Sequence, residues 1–497
     1  MSTIPRPTGP EDLERVLAAS ADAFEPFAAL SRIERANVLD AIAAALDAAA
    51  GELIPVAMRE TNLPEDRLRP ELKRTTFQLR FFGEVLRDGA YQGLRIDHAD
   101  ADWPMGAPRP DLRRMLVPMG PVLVFSASNF AFAFSVAGGD TASALAAGCP
   151  VVVKAHSGHP ELSALTAQYV REALASVSAP EGAFGMIYGT EAGRVAIQDP
   201  RISACGFTGS IAGGRALFDL ANARPDPIPF YGELGSSNPV FVTAAADAER
   251  AEEIAAGYIA SFTTGYGQLC TKPGTLLLPR GSRTLGLLRE TPLPEGGRLL
   301  NERIRQSYVE AVQQLDAADA QLLNAGPNPY GEAPSPTIHV SDAAAVLANP
   351  VVLLEERFGP SGLVVEYDDA SQLVQIARVL EGQLTSSIHA TDECEVRQLL
   401  DALVRIAGRV LWNQWPTGLS VTHAQQHGGP YPSSTDVRST SVGGAAIERF
   451  LRPVSFQGFP QHLLPDALRD SPSAEERSVA RLIDGTHRAV NRPEDTA

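Results

Sequence analysis

A chain of 497 residues is too long for one hydrophobic core, so two or three domains are expected. Apolar residues make up 44% and charged residues 20%, an ordinary globular balance. The formal net charge of −17 argues against nucleic acid or an anionic membrane surface as the main partner, but leaves room for a small anionic substrate held by a few local Arg residues.

Residues 12–90 read as helices. ERVLAASADAFEPFAALSRIERANVLDAIAAALDAAA repeats its apolar residues at helical spacing, and FQLRFFGEVLRDG closes on a glycine. The N-terminal MSTIPRPTGPEDLERV lacks an apolar signal core, and no apolar run reaches the ~18 residues of a membrane helix. Neither a secretory signal nor a membrane partner is expected. Residues 91–117 turn rich in Asp, Pro and Arg. From there short apolar runs alternate with helical patterns: VLVF, the loop SASNFAFAFSVAGGD, TASALAAG, VVVKA, ELSALTAQYVREALAS, GAFGMIYG, EAGRVAIQD, ISACGFTGS and IAGGRALFDLANA. That rhythm predicts βαβ units on a parallel sheet. NPVFVT and DAERAEEIAAGYIASFT open a second series, continued by TLLLP, VVLLEE, GLVVEY and SQLVQIARVLEG. After 426 the chain becomes rich in Gly, Pro and Ser, RFLRPVSFQGFP reads as a strand, and 470–497 read as a polar C-terminal tail.

The four cysteines, Cys149, Cys205, Cys270 and Cys394, have neither the spacing of a disulfide framework nor that of a zinc site, and a reducing, cytoplasmic setting fits them. Cys149, in AAGCPVVVKA, and Cys205, within a strand, read as small core residues. Cys394 falls on a charged helix. Cys270 sits in GYGQLCTKPG, among glycines, where backbone N–H groups can approach a thiolate or an oxyanion. A nucleophile needs a base and an oxyanion donor. Glu233, in YGELGSSNP after an apolar run, offers a carboxylate whose pKa a partly apolar pocket raises, although a plain loop-end Glu has the same look. Asn129, in VFSASNFAFAF, offers an amide N–H, or simply caps its own turn.

Taken together and in order, SASNF, VVVKAHS, GFTGS, YGELG with SSNP, GQLCTKPG and EERFGP resemble the aldehyde dehydrogenase superfamily over about residues 12–460. The resemblance implies an α/β fold with three parts. A Rossmann-like cofactor domain takes residues 1–90 and 118–235, and an α/β catalytic domain takes 236–425. A small β oligomerisation element, made of 91–117 with 426–460, builds homodimers or homotetramers. The resemblance makes Cys270 the nucleophile that forms a thioester, has Asn129 and the Cys270 N–H hold the oxyanion, and has Glu233 activate water. It matches Gly209, Ser210 and Gly214 to the pyrophosphate site at a helix start, without a GxGxxG fingerprint. Gly189 and Gly193 match the glycines near the adenosine, Lys154 the adenosine-ribose lysine, and Glu356 and Phe358 the groups beside the nicotinamide ribose and ring.

Ser157 stands where many NAD-linked members carry a ribose-binding Glu, which points to NADP as the preferred cofactor, with NAD as the alternative. Lys154, with His156 or His159, is expected to supply positive charge for a 2′-phosphate.

NFAFAFSVAGGDTASALAAGCPVVVKAH, FYGELGSSNPVF and GGPYPSSTDVRSTSVGGAAIERFLRPVSFQ are similar to the branch that oxidises 2,5-dioxopentanoate to 2-oxoglutarate, the 2,5-dioxovalerate (α-ketoglutarate semialdehyde) dehydrogenases. Other semialdehydes or fatty aldehydes remain alternatives, as does a silent binding protein of this fold. A CoA-acylating enzyme is disfavoured by Glu233, and a thiol esterase would not need Lys154 or Glu356. The carboxylate and keto groups of such a substrate call for a cation and donors. Arg80, with Phe77 about a turn earlier, lies on the helix that lines the family's tunnel, and Ser433 and Arg438 lie on the segment that closes it. A snorkelling Arg explains Arg80 equally well, and a surface residue explains Arg438 better. HAQQH spaces His423 and His427 as metal ligands, but the following Gly428-Gly429 and the want of a third ligand make it plain loop, and no metal is expected.

Overall fold

The computed structural model describes residues 5–488, an α/β molecule built on three sheets. The first sheet has five parallel strands in the spatial order Phe184–Ile187, Val151–Lys154, Val122–Phe125, Ala204–Thr208, Phe230–Glu233. Its centre, VLVF, is buried at every position, as a strand covered by helices on both faces must be. The chain runs outward in one direction from Val122–Phe125 and then in the other. The carboxyl ends of the strands therefore open a crevice at the reversal. Phe125 lies opposite Lys154 and Phe207, and Thr208 opposite Glu233, so one edge delivers the loops that carry Asn129, Lys154, Ser210 and Glu233.

The helices of the first ninety residues pack on this sheet. Arg32–Ala48 opens with a capping box between Ser31 and Glu34 and packs against Glu65–Asp88. Glu65–Asp88 also packs on Gly139–Ala147 and ends at Gly89, whose φ of 79° a side chain would resist. No single helix among the described residues is long and apolar enough to cross a membrane. The pair Arg32–Ala48 and Ala50–Thr61, bent by 72°, has the composition of a broken span, but its Leu39, Ile42, Leu46, Leu53 and Ile54 are buried in the domain core.

The second sheet has seven strands in the order Gln321–Ala325, Thr337–Asp342, Ser361–Tyr367, Thr275–Pro279, Val240–Val242, Gln383–His389, Ala407–Trp412, parallel except for the first pair. VVLLEE does not join it. Asn349-Pro350 starts the short helix Pro350–Leu353, with Pro at a first helical position where its missing N–H costs nothing, and Val351 is left 82% exposed.

The third sheet sets Leu451–Gln457 against Leu112–Pro118, then Arg95–Asp97, then Arg481–Ile483 and Thr486–Arg488. Residues 470–488 are thus no tail. Arg113, buried, donates to Asp470 at 2.6 Å and to the Leu468 carbonyl at 2.7 Å, and this fastens the segment before its strands begin. The rest of the expected tail, 489–497, lies outside the described residues.

Candidate active site

Cys270 follows the helix Ala244–Thr263 and a tight turn in which Gly265, Tyr266 and Gly267 all take positive φ. At Gly267 the glycine is required, because a Cβ would lie 2.2 Å from the Gly359 carbonyl oxygen. Asn238, itself at φ 48°, donates its Nδ2 hydrogens to the carbonyls of Cys270 at 2.8 Å and Lys272 at 2.9 Å. The SSNP turn is therefore the brace of the cysteine loop. From the cofactor domain, Asn129 Nδ2 donates to the Gln268 carbonyl at 3.1 Å. The loop carrying Asn129 is pinned by Glu71, whose Oε1 accepts from the N–H groups of Phe132 and Ala133 at 2.8 and 3.1 Å.

Glu233 ends the last strand of the first sheet and is buried. Its Oε2 accepts from the Ser441 hydroxyl, and its Oε1 lies 2.8 Å from His427 Nε2. His427 Nε2 lies in turn 3.5 Å from Cys270 Sγ, and the reactive atoms of the three residues all fall within 4.8 Å of one another. Plain loop is thus the wrong reading of His427. His423 goes elsewhere, its ring 4.8 Å from that of Phe81, so the i,i+4 spacing carried no information about a shared role. The useful signal was local: His427 directly precedes Gly428-Gly429, and neither glycine can carry a side chain, since a Cβ on Gly429 would meet the Gln383 carbonyl at 2.2 Å.

The electrostatics reverse one expectation. Burial pushes the Glu233 carboxyl up, but attraction to His427 and the hydrogen bonds from His427 and Ser441 outweigh it, and its pKa falls below the ordinary carboxylate value. The Cys270 thiol goes the other way. Burial and the negative charges of Glu233 and Glu356 push it well up, against the pull of Arg74. Backbone N–H groups alone do not make this a thiolate, so an adjacent proton acceptor is needed, and Glu233–His427 is one.

The positions expected to hold a cofactor lie at the strand ends and helix starts around the crevice. Ser210 caps the helix Ile211–Asn222, taking the Gly213 N–H, while the exposed start of that helix leaves the Ile211 and Ala212 N–H groups facing outward. Gly214 lets the helix close on the sheet, because a Cβ there would meet Leu234 at 2.2 Å. Gly189, at φ 94°, caps Thr190–Ala196, and Gly193 lets that helix settle on Phe125 and the stem of Lys154. Gly235 leaves room for Glu356, whose Oε2 a Cβ would meet at 2.5 Å. Phe358 packs half-buried at the core edge. An anion-binding helix start, a lysine at a strand end and a carboxylate across the cleft suit a dinucleotide.

The histidines do not supply the expected charge. His159 is buried, with Nε2 2.9 Å from the Ala127 carbonyl and Nδ1 3.1 Å from Ser163 Oγ, and burial lowers its pKa. His156 accepts from the Gly158 N–H at 3.0 Å, and burial, with its cationic neighbours, pushes its pKa down to about 3. Both are neutral at physiological pH. Burial lowers the pKa of Lys154 and of His156, and the charge of nearby Arg303 adds to that in both cases.

An unforeseen lysine braces the site. Lys272 Nζ, buried, donates to the carbonyls of Arg357, Gly359 and Ser361 at 2.5, 3.2 and 2.8 Å, clamping the loop that bears Glu356 and Phe358. Lys272→Met is expected to leave three buried carbonyls short of a donor and to lower stability by about 3 kcal/mol, read as a fall in the urea midpoint. An unchanged midpoint would show that water replaces the lysine.

The four residues expected to line or close the substrate tunnel each have surroundings of their own. Arg80 pairs with Asp47 of the helix Arg32–Ala48 at 2.7 Å, half-exposed. Phe77 is exposed and stacks on Phe81. Ser433 is buried, but its hydroxyl donates to the Pro430 carbonyl at 2.8 Å and its own carbonyl accepts from the Leu234 N–H at 2.8 Å, so it shapes the closing loop. Arg438 is 90% exposed beside Asp436.

A family model described as the aldehyde dehydrogenase family matches residues 2–454. A protein of Acinetobacter baylyi named alpha-ketoglutaric semialdehyde dehydrogenase is 41% identical, over 96% of this chain and 91% of that one. One of Azospirillum brasilense, named alpha-ketoglutaric semialdehyde dehydrogenase 2, is 42% identical over 95% and 91%. Among solved structures, aldehyde dehydrogenase 21 of Physcomitrella patens, in complex with the reaction product succinate, shares the fold at a TM-score of 0.75 and 23% identity, covering 91% of each chain. PnpE in complex with nicotinamide adenine dinucleotide does so at 0.75 and 22%, covering 90% and 89%.

Proposed function

Because this chain belongs to the aldehyde dehydrogenase family, we propose that it oxidises 2,5-dioxopentanoate to 2-oxoglutarate, with NADP preferred over NAD. The observation that carries the chemistry is the contact of Cys270 with His427 and of His427 with Glu233. The substrate rests on likeness to relatives that bear the name of this activity.

Cys270 Sγ bonds to the aldehyde carbon as its proton passes to the Glu233–His427 pair, which releases it to solvent before hydrolysis. Asn129 Nδ2 and the Cys270 N–H stabilise the oxyanion. Bound in the crevice held by Lys154, Ser210 and Glu356, the nicotinamide cofactor supplies the hydride acceptor. The acyl group is left on Cys270 as a thioester. Glu233 then draws a proton from water, the hydroxyl bonds to the acyl carbon, the carbon–sulfur bond breaks, and Cys270 regains its proton as the acid departs.

The NADP preference rests on Ser157, which lacks the charge that would repel a 2′-phosphate, and on Lys154 with Arg303. Ser157→Glu is expected to lower the NADP/NAD ratio of kcat/KM about 100-fold and Arg303→Ala about 10-fold. A wild-type ratio below one would overturn the preference. A homodimer or homotetramer through the small sheet is proposed from its partly exposed edge strand Leu451–Gln457. A cytoplasmic location is proposed from four cysteines that are all free.

The test follows reduced cofactor with purified protein and no CoA. Turnover of 2,5-dioxopentanoate at a kcat/KM about 100-fold above that of pentanal is the expected result. A requirement for CoA, or a preference for the uncharged aldehyde, would replace this reading.

A further inference from the structure

The helix Glu65–Asp88 turns a second face to the site, at positions Arg67, Glu71, Arg74 and Gln78, spaced at three and four residues. Glu71 is fully committed to the Asn129 loop and to Arg67, whose Nη1 it holds at 2.7 Å. Arg74 has no such partner. Its Nη1 is shut off from solvent without a hydrogen bond, as is Arg67 Nη2. Both guanidinium groups lie on the Phe130 ring, Arg67 at 4.5 Å and Arg74 at 5.8 Å, and Arg74 also lies 5.2 Å from the Phe134 ring centre. Phe134 in turn lies 6.3 Å from the His427 ring. Arg74 is close enough to Cys270 and Glu233 for its charge to act on both.

A buried guanidinium N–H without an acceptor is costly, and Arg74 differs from the other arginines with such a nitrogen in lying against the Phe134 ring that borders His427, where an anion brought by the substrate would satisfy it. We propose that Arg74, backed by Arg67, is the anion subsite of the substrate tunnel. It takes the terminal carboxylate of an ω-carboxy aldehyde while the aldehyde carbon meets Cys270, and the Phe130 and Phe134 rings flank the carbon chain between. The inference rests on the reading that this site oxidises an aldehyde bearing a carboxylate. Arg80, six positions further on, lies about 120° round the helix from Arg74 and pairs with Asp47 instead.

The test compares Arg74→Gln and Arg74→Lys with wild type on 2,5-dioxopentanoate and on its methyl ester, which has the same carbon chain without the charge. The ratio of kcat/KM, acid over ester, is expected to fall about 100-fold in the Gln variant, mainly through KM, and less in the Lys variant, which keeps the charge. A second readout needs no turnover. Glutarate should protect Cys270 of the wild type from iodoacetamide and fail to protect Arg74→Gln, with alkylation assigned by peptide mass because Cys394 is exposed. Equal losses on acid and ester, or glutarate protection that survives the Gln substitution, would make Arg74 structural. Wild type that ignores 2,5-dioxopentanoate but is protected by glutarate only through Arg74 would retire the substrate and keep the subsite. Efficient oxidation of the acid, indifferent to Arg74, would do the reverse. If the Gln variant does not fold, the Lys variant decides through the ratio and the protection together.

Discussion

Glu233→Gln should make one equivalent of reduced cofactor per site and then stall, whereas Cys270→Ala should make none. The steady-state rate is expected to fall about 10³-fold for Glu233→Gln and 10⁴-fold or more for Cys270→Ala. The difference follows from what each atom can do. On the proposed mechanism Cys270 Sγ forms the bond that makes hydride departure feasible, and it is the cysteine set beside Glu233 and His427, whereas Cys149 and Cys205 are buried in the core and Cys394 is exposed on the surface. Glutamine at 233 can still accept from Ser441 and sit beside His427, so the packing is kept. It cannot take a proton, and the thioester persists. Rapid mixing separates the two cases, and a mass increase on Cys270 identifies the trapped acyl group. A Glu233→Gln enzyme with no burst would mean that the carboxylate is needed for thiol attack as well, through His427.

The chain shows its fold wherever burial leaves a simple pattern. VLVF, VVVK and ACGFT are short, apolar and central, and their βαβ rhythm gives the cofactor sheet. The strand Gln383–His389 is just as buried, but its Thr385, Ser386 and Ser387 hide it. Thr385 is polar because it hydrogen-bonds Asn238 Oδ1 at 2.8 Å, in the brace of the cysteine loop, and that need arises only in three dimensions. The C-terminal strands were hidden for a related reason. Arg481–Ile483 and Thr486–Arg488 are short and polar, and they gain their place by pairing with Arg95–Asp97, almost four hundred residues away in sequence. Within the site, the motif residues Cys270 and Glu233 are brought together by the structure, and Asn129 meets the cysteine loop at the Gln268 carbonyl. Residues that depend on which way a helix faces were not legible in the sequence. Arg74 and Arg80 look alike in TTFQLRFF and its preceding KR, and only the packing against Asp47 on one side and Phe134 on the other separates them.

His427→Asn is expected to slow the formation of the first equivalent of reduced cofactor about 100-fold at neutral pH, and to change the shape of the pH profile. Asparagine preserves much of the volume but cannot accept the thiol proton. Attack then depends on thiolate formed without help, and the Cys270 thiol is held well above its ordinary value by burial and by Glu233 and Glu356. The rate of the variant should therefore climb through the alkaline range, and its deficit should shrink as pH rises. Glu233 responds in the opposite sense. In the wild type its folded pKa is depressed, so it adds stability that is present above the unfolded carboxyl value of about 4.3 and lost as pH falls through the folded value. Without His427, burial is opposed only by the remaining hydrogen bonds, and the carboxyl pKa rises. The acid limb of thioester hydrolysis should move to higher pH, while the variant, already less stable at neutral pH, should lose less stability than the wild type on acidification. A profile parallel to the wild type at every pH, simply displaced downward, would show that His427 only fills space between Phe134 and Glu233. A steeper recovery toward high pH, with the burst still present, would place the proton of the first step on the imidazole.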